Sequence, residues 1–312
     1  MSLFALIAAL LLEQLHPLSS RQYLFSWLSR YVHFFQQKFN AGEQKHGRIA
    51  WLLAVLPLTS AVVVIFWLLH QLNPLLAWSF NVLALYMTMG FRQFSHYFTD
   101  IYQRLRADEL GAAQQTLATW SGMATHELNQ EEIARVAIEQ ALLSSHRNVF
   151  GVIVWFVLFS VLGIGGAAGA LLYRLGQFLG TQWGDADEAE FGAFGEFSRR
   201  ANYYLEWLPI RLAALTFAIV GDFENTVYCW RGQAANWADR EIGILLASGA
   251  GSLGVRLGMP LPQAGLLLDR PELGVGDDAD ADLMQSTVGL VWRAVLFWLV
   301  LLTLLTLTHL LG

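Results

Sequence analysis

Apolar residues fall along this chain in long unbroken runs, and the runs predict its elements. Ile49 to Leu69 holds no charge for 21 residues, Val149 to Leu172 holds none for 24, and Val288 to Leu311 is a 24-residue run whose only full charge is Arg293. About 20 predominantly apolar residues let a helix cross a bilayer, so each run predicts a span. Leu75 to Met89 predicts the shorter arm of a helical hairpin, reached from the first span through His70, Gln71, Leu72, Asn73 and Pro74. A connection of that length suits antiparallel neighbours. Two further stretches are borderline. Met1 to Leu12 is short for a span and reads either as a short crossing or as a helix lying against the others. It begins without Lys or Arg and is closed by Glu13 and His16-Pro17, which argues against a cleaved signal peptide. Leu205 to Val220 carries Glu206, Pro209 and Arg211, and a charge inside an apolar segment is costly, so Arg211 should face protein or water.

Between the runs the pattern is helical but polar. Phe98 to Trp120 reads as one helix and Asn129 to Leu143 as another. In the second, Glu131, Glu132, Arg135 and Glu139 take one side, opposite a stripe of Ile133, Val136, Ala137, Ile138 and Ala141. No alternating strand pattern stands out. The expected fold is all-α, a polytopic helical membrane protein with cytoplasmic helical segments. Its parts are 1–89, an N-terminal helix and hairpin with a basic loop; 90–148, a cytoplasmic helical segment; and 149–221, central membrane helices with an acidic loop. A Gly/Pro/Asp-rich soluble segment at 222–287 and a C-terminal membrane helix at 288–312 complete them.

Composition agrees: 55% of residues are apolar, only 14% are charged, and the mean hydropathy is +0.43. A soluble domain carries roughly 25% charged residues. One cysteine, Cys229, excludes an internal disulfide framework. A net charge of −6 without a basic stripe argues against nucleic acid as a partner and leaves the lipid bilayer as the main one. Charge also predicts orientation. Pro17 to Arg48 holds Arg21, Arg30, Lys38, Lys45 and Arg48 against Glu43, which predicts that it lies on the cytoplasmic side. Tyr173 to Tyr204, with Asp185, Asp187, Glu188, Glu190 and Glu196, is then expected on the opposite, periplasmic side.

Candidate chemistry is sparse. Gly249, Gly251 and Gly254 satisfy a dinucleotide fingerprint, but no strand precedes them, so helix packing is the expected role. Gly165 and Gly169 lie in small-xxx-small register and predict close helix approach, including a homo-oligomer contact. Eight isolated histidines make no zinc pair. Asp277, Asp278, Asp280 and Asp282 are either a solvated loop or a Mg²⁺ site built on Asp277 and Asp278.

Several phrases occur together in order: LLLEQLHPLSS (Leu10 to Ser20), GALLYR (Gly169 to Arg174), WLPIRLAAL (Trp207 to Leu215), AGSLGVRLG (Ala250 to Gly258) and DRPELGVG (Asp269 to Gly276). They resemble the CobD/CbiB family of integral membrane proteins over nearly the whole chain. The resemblance implies a late step of cobalamin assembly, in which an aminopropanol-type amine is joined to a corrinoid carboxylate with ATP and Mg²⁺. Tyr173-Arg174 and Pro209-Ile210-Arg211 match the family's motifs. For an enzyme of this kind Glu139 and Glu206 are the candidate catalytic acids and Tyr173, Arg174, Arg211 and Arg256 the candidate substrate contacts, with Arg174 or Arg211 as a structural partner of Glu139 or Glu206 the alternative. The chain departs from the family at two motifs. E-N-x-x-D-G is replaced by His146, Arg147, Asn148, Val149, Phe150 and Gly151, and D-D-x-x-N by Asn202, Tyr203, Tyr204, Leu205 and Glu206. The opening MSLFALIAALLLEQ and the segment Glu206 to Glu224 are also similar to the AmpE branch, which implies a non-enzymatic membrane regulator of β-lactamase induction. An enzyme should gather Glu139, Glu206 and the 277–282 acids around Arg174 or Arg211, whereas a regulator should leave them scattered or paired off.

Overall fold

The computed structural model describes residues 2–15, 21–184, 192–263 and 265–311. It is helical almost throughout, as the hydrophobic pattern predicts, and four helices are long and apolar enough to cross a membrane: Gln44–Leu72, Gln130–Val161, Glu196–Val220 and Ala281–Thr308. The chain divides into two compact units, each discontinuous in sequence. One comprises Met1–Gly90 and Gly151–Leu208, the other Phe91–Phe150 and Pro209–Gly312. The segments expected separately at 90–148, 222–287 and 288–312 thus share one unit.

In the first unit α1 (Ser2–Leu15) and α2 (Arg21–Phe39) precede the long α3 (Gln44–Leu72), which turns directly into α4 (Pro74–Thr88). Asn73 alone makes that turn. Its side chain accepts a hydrogen bond from the Leu75 amide, and Pro74 fills the first helical position, where a missing N–H costs nothing. The short α1 packs on α4 by burying Ala5, Leu6 and Ala9. Both readings of 1–12, a short crossing or a helix laid against its neighbours, are compatible with this packing.

The run at 149–172 is not one span. α8 (Gly151–Val161) ends, residues 162–165 turn, and α9 (Gly166–Leu179) runs back along it. Gly163 and Gly165 take left-handed φ values of 72° and 107°, which L side chains rarely adopt. The two helices lie so close that a methyl at Gly169 would sit 2.1 Å from the Trp155 carbonyl oxygen, and one at Gly165 would meet the Phe66 ring at 2.7 Å. The small-residue register thus brings neighbours within the chain into close contact. Because the hairpin returns, Tyr173 comes back to the level of Gly151. The acids at 185–191 lie outside the described residues.

In the second unit α5 (Phe91–Arg106) and α6 (Leu110–Ser121) replace the single helix expected at 98–120, because Asp108 enters the left-handed region at φ 56° and breaks it. α7 (Gln130–Ser145) starts at a reciprocal capping box between Asn129 and Glu132. It continues through a π turn at His146–Phe150. α10 (Glu196–Val220) begins in the first unit, and α11 (Phe223–Gly232), α12 (Arg240–Leu253) and α13 (Ala281–Leu311) complete the second.

The Gly-rich stretch after α12 forms four short strands, which the sequence pattern did not predict. β1 (Leu257–Gly258) pairs antiparallel with β4 (Glu272–Leu273), and β2 (Leu261–Gln263) with β3 (Leu266–Leu268). Two or three residues are too few for a period of two to register. The fingerprint glycines serve packing, as expected. A methyl at Gly249 would strike Leu142 of α7 and one at Gly251 the Asn225 carbonyl, while Gly254 is the left-handed cap of α12.

Candidate functional site

In the first unit the best-defined polar pair joins Tyr173 of α9 to Glu206 of the candidate span Glu196–Val220. The Tyr173 hydroxyl donates to the Glu206 carboxylate at 3.0 and 3.1 Å, and both residues are buried. Local structure sets this contact. The absence of a side chain at Gly151 leaves room for the Tyr173 ring, since a methyl there would lie 2.1 Å from it. Gly176 admits Leu205 and Gly180 admits Asn202, so the start of α10 lies close along α9 and the turn that follows it. The Trp155 indole N–H donates to the Leu205 carbonyl and fixes α10 against α8. Ser198, Asn202 and Glu206 recur every fourth residue, which puts them on one face of α10. Ser198 Oγ, Asn202 Oδ1 and Trp183 Nε1 are buried without a hydrogen-bond partner. Such atoms usually mark places where water or another polar group completes the set. Arg174 donates to the Thr88 carbonyl and to Gln177.

In the second unit the candidate residues are tied into ion pairs. Glu139 receives Arg270 through both oxygens, at 2.8 and 3.3 Å, and also the Gly258 amide at 2.8 Å. Arg270 lies 5.6 Å over the Trp237 ring and donates to the Gly258 carbonyl. Arg135, on the same side of α7 as Glu139, is buried too and reaches Glu131 and Met259. Arg211 meets Glu241 in a bidentate pair, facing protein as its position in an apolar segment required. Arg256 pairs with Asp278.

The aspartate run does not form a cluster. The backbone of Asp277 bonds Gly254 and Arg256, Asp280 caps the start of α13 at Leu283, and Asp282 pairs with Arg106. Among the described residues no group of three or more His, Cys, Asp or Glu gathers to hold a metal ion. Asp277 and Asp278 therefore do not sit in a ready-made protein cage, although Mg²⁺ is commonly held by one or two carboxylates together with waters and substrate phosphates.

Other titratable groups fill structural roles. Arg104 beside Asp100 holds that carboxyl below its ordinary range, helped by Thr116. Burial pushes the Cys229 thiol up, which keeps it protonated and unreactive. Sequence reasoning singled out Glu139, Glu206, Tyr173, Arg174, Arg211, Arg256, Asp277 and Asp278. It missed Arg270, Glu241, Trp237, Trp183 and Ser198. Arg270 stands 131 residues from Glu139, a separation at which one sequence carries no pairing signal. The recurrence of Ser198, Asn202 and Glu206 at every fourth position was a visible signal.

No solved structure matches the chain. A relative named cobalamin biosynthesis protein CobD, from Stutzerimonas stutzeri, is 35% identical over 307 residues and covers 97% of both chains. A protein of the same name from Chromobacterium violaceum is 33% identical over 81% of this chain and 77% of its own. Cobalamin biosynthesis protein CbiB of Salmonella typhimurium is 26% identical over 88% of each. The family model described as CobD/Cbib protein matches residues 3–291. With that match across the helical units and their buried pairs, the chain belongs to the CobD/CbiB family.

Proposed function

We propose that this protein acts in cobalamin biosynthesis as a multi-pass inner-membrane enzyme that joins an aminopropanol-type amine to a carboxylate of a corrinoid. The observation that carries the proposal is the likeness over 97% of both chains to a protein named for cobalamin biosynthesis. The buried Glu206 carboxylate supplies chemistry to match, since an ammonium must lose a proton before it attacks a carboxyl carbon. Glu206 is the residue to accept that proton, and Tyr173 orients its carboxylate. Glu139 is the weaker candidate base, because its charge is already paired with the Arg270 guanidinium. The carboxylate oxygen needs activation before it can leave, and the ATP and Mg²⁺ implied by the resemblance would supply it by phosphorylation, with phosphate departing as the amide bond forms. Among the described residues no group of three or more His, Cys, Asp or Glu gathers to hold the metal.

Complementation tests the proposal. In a bacterium lacking its own synthase, this chain should restore growth on adenosylcobyric acid. Glu206→Gln at unchanged membrane abundance should lower turnover by about a hundredfold or more. No growth from a well-expressed, membrane-inserted protein overturns the enzyme reading. The second reading, an AmpE-like regulator, draws on the pairing of Glu139, Arg211 and Asp278 inside their own unit. It expects deletion to change β-lactamase induction while cobalamin synthesis is unaffected.

A further inference from the structure

α2 is 19 residues long, yet Arg21, Arg30, His33, Gln36, Gln37 and Lys38 make it too polar to cross a bilayer. Only residues 40–43 separate it from α3, a candidate span whose apolar window is just 17% buried within the protein and so faces lipid. So short a tether keeps α2 at the membrane surface where α3 enters.

The helix is built for that place. Val32 is buried and the Tyr31 hydroxyl donates to the Ala54 carbonyl of α3 at 3.0 Å, which fixes which side faces the protein. Trp27 stacks on Tyr31, Tyr31 meets Phe35 edge-on and Phe35 stacks on Phe39, which stiffens the helix. On the outward side Trp27, Arg30, Phe34 and Lys38 follow at intervals of three, four and four residues and share one narrow face. Trp27 is 50% exposed and Phe34 54%, and Arg30 and Lys38, each next along the face, are exposed as well. Interfacial helices interleave aromatics with cations in this way, because the rings sit at head-group depth while the cations meet phosphate. Lys45 and Arg48 at the start of α3 extend the positive surface. Among the described residues none of these four cations forms an ion pair; Arg30 donates only to the Ser26 carbonyl, and Arg48 lies over the Phe197 ring.

We propose that the face of α2 formed by Trp27, Arg30, Phe34 and Lys38 is a docking site for the anionic head groups of the leaflet that α3 enters. Native mass spectrometry of the full-length protein, released from detergent with equal phosphatidylglycerol and phosphatidylcholine, tests it. Wild type should retain phosphatidylglycerol preferentially, and Arg30→Gln/Lys38→Gln should weaken that preference by roughly fivefold per charge removed. Equal retention of the two lipids by wild type, or an unchanged preference in the variant, overturns the proposal. If the double variant loses helix content, Lys38→Gln alone carries the comparison. Placement is read separately with a nitroxide at Phe34→Cys in nanodiscs containing phosphatidylglycerol, because Cys229 is fully buried and will not compete for the label. Head-group depth supports the docking site. Full aqueous accessibility overturns it and leaves the face to an acidic soluble partner.

Discussion

Glu139 illustrates what burial does to a charged residue. Its oxygens are shared between Arg270 and a backbone amide, with the two side chains only 7% and 12% exposed, so neither charge can turn to water if the other is lost. Glu139→Gln should therefore destabilise the protein by about 3–5 kcal/mol, while replacing both partners by apolar residues should cost much less. Thermal melts of the two variants in detergent give the comparison. Gly151 constrains by size instead: Gly151→Ala should push the Tyr173 ring away from Glu206 and cost about 1–3 kcal/mol in the same assay. Asp100 adds a dependence on pH. Arg104 holds its carboxyl below the ordinary range, so the stabilisation is complete above that range and lost as pH falls through the lowered value. The difference in melting temperature between wild type and Asp100→Asn should stay constant above about pH 5 and shrink in stronger acid. At this scale the sequence exposed half of each pair. A charge in or beside an apolar run draws attention to Glu139, Glu206 and Arg211, but Arg270 stands among Asp269 and Glu272 and Glu241 follows Asp239 and Arg240, so an ion-pair partner there looks like any member of a charge cluster.

The hairpin of α8 and α9 shows where element prediction succeeds and where it stops. Run length identified an apolar stretch at 149–172, and hydropathy cannot distinguish one long crossing from two short antiparallel helices, because both are uncharged throughout. The signal for the turn was present in Gly163, Gly165 and Gly166, whose lack of side chains serves packing and the reversal together. Asp108 divides α5 from α6 with no comparable signal, since aspartate is at home on a helix surface. Cysteine labelling separates the two arrangements at 149–172. With a hairpin, Leu162→Cys should react from the same membrane face as Leu72→Cys, because Phe66 and Asn81 near the α3–α4 turn touch Gly165 and Ala167. Thr181→Cys should react from the other face. A single crossing would bury Leu162 in lipid and leave it unlabelled. Gly165→Ala combines strain at φ 107° with a clash against Phe66, and labelling at Leu162 should become heterogeneous in that variant.

Across the whole molecule the shortage of charge is a statement about solvent. The apolar windows of Gln44–Leu72 and Ala281–Thr308 are only 17% and 22% buried, whereas that of Gln130–Val161 reaches 61%. The first two therefore need lipid to cover them, and the third is covered largely by protein. Stripping detergent should accordingly precipitate the protein before its helix content falls, which light scattering and circular dichroism measured together will show. The interleaving of the two units also sets an order of events at the ribosome. Everything the first unit needs has been synthesised by Leu208, but Phe91–Phe150 has been waiting since early in translation for partners that end with the last helix. For more than half of the time taken to make the chain, that segment is an incomplete half of a fold. A premature stop before Ala281 would spare the first unit and orphan the second, making the nascent second unit the natural target for membrane chaperones and quality-control proteases.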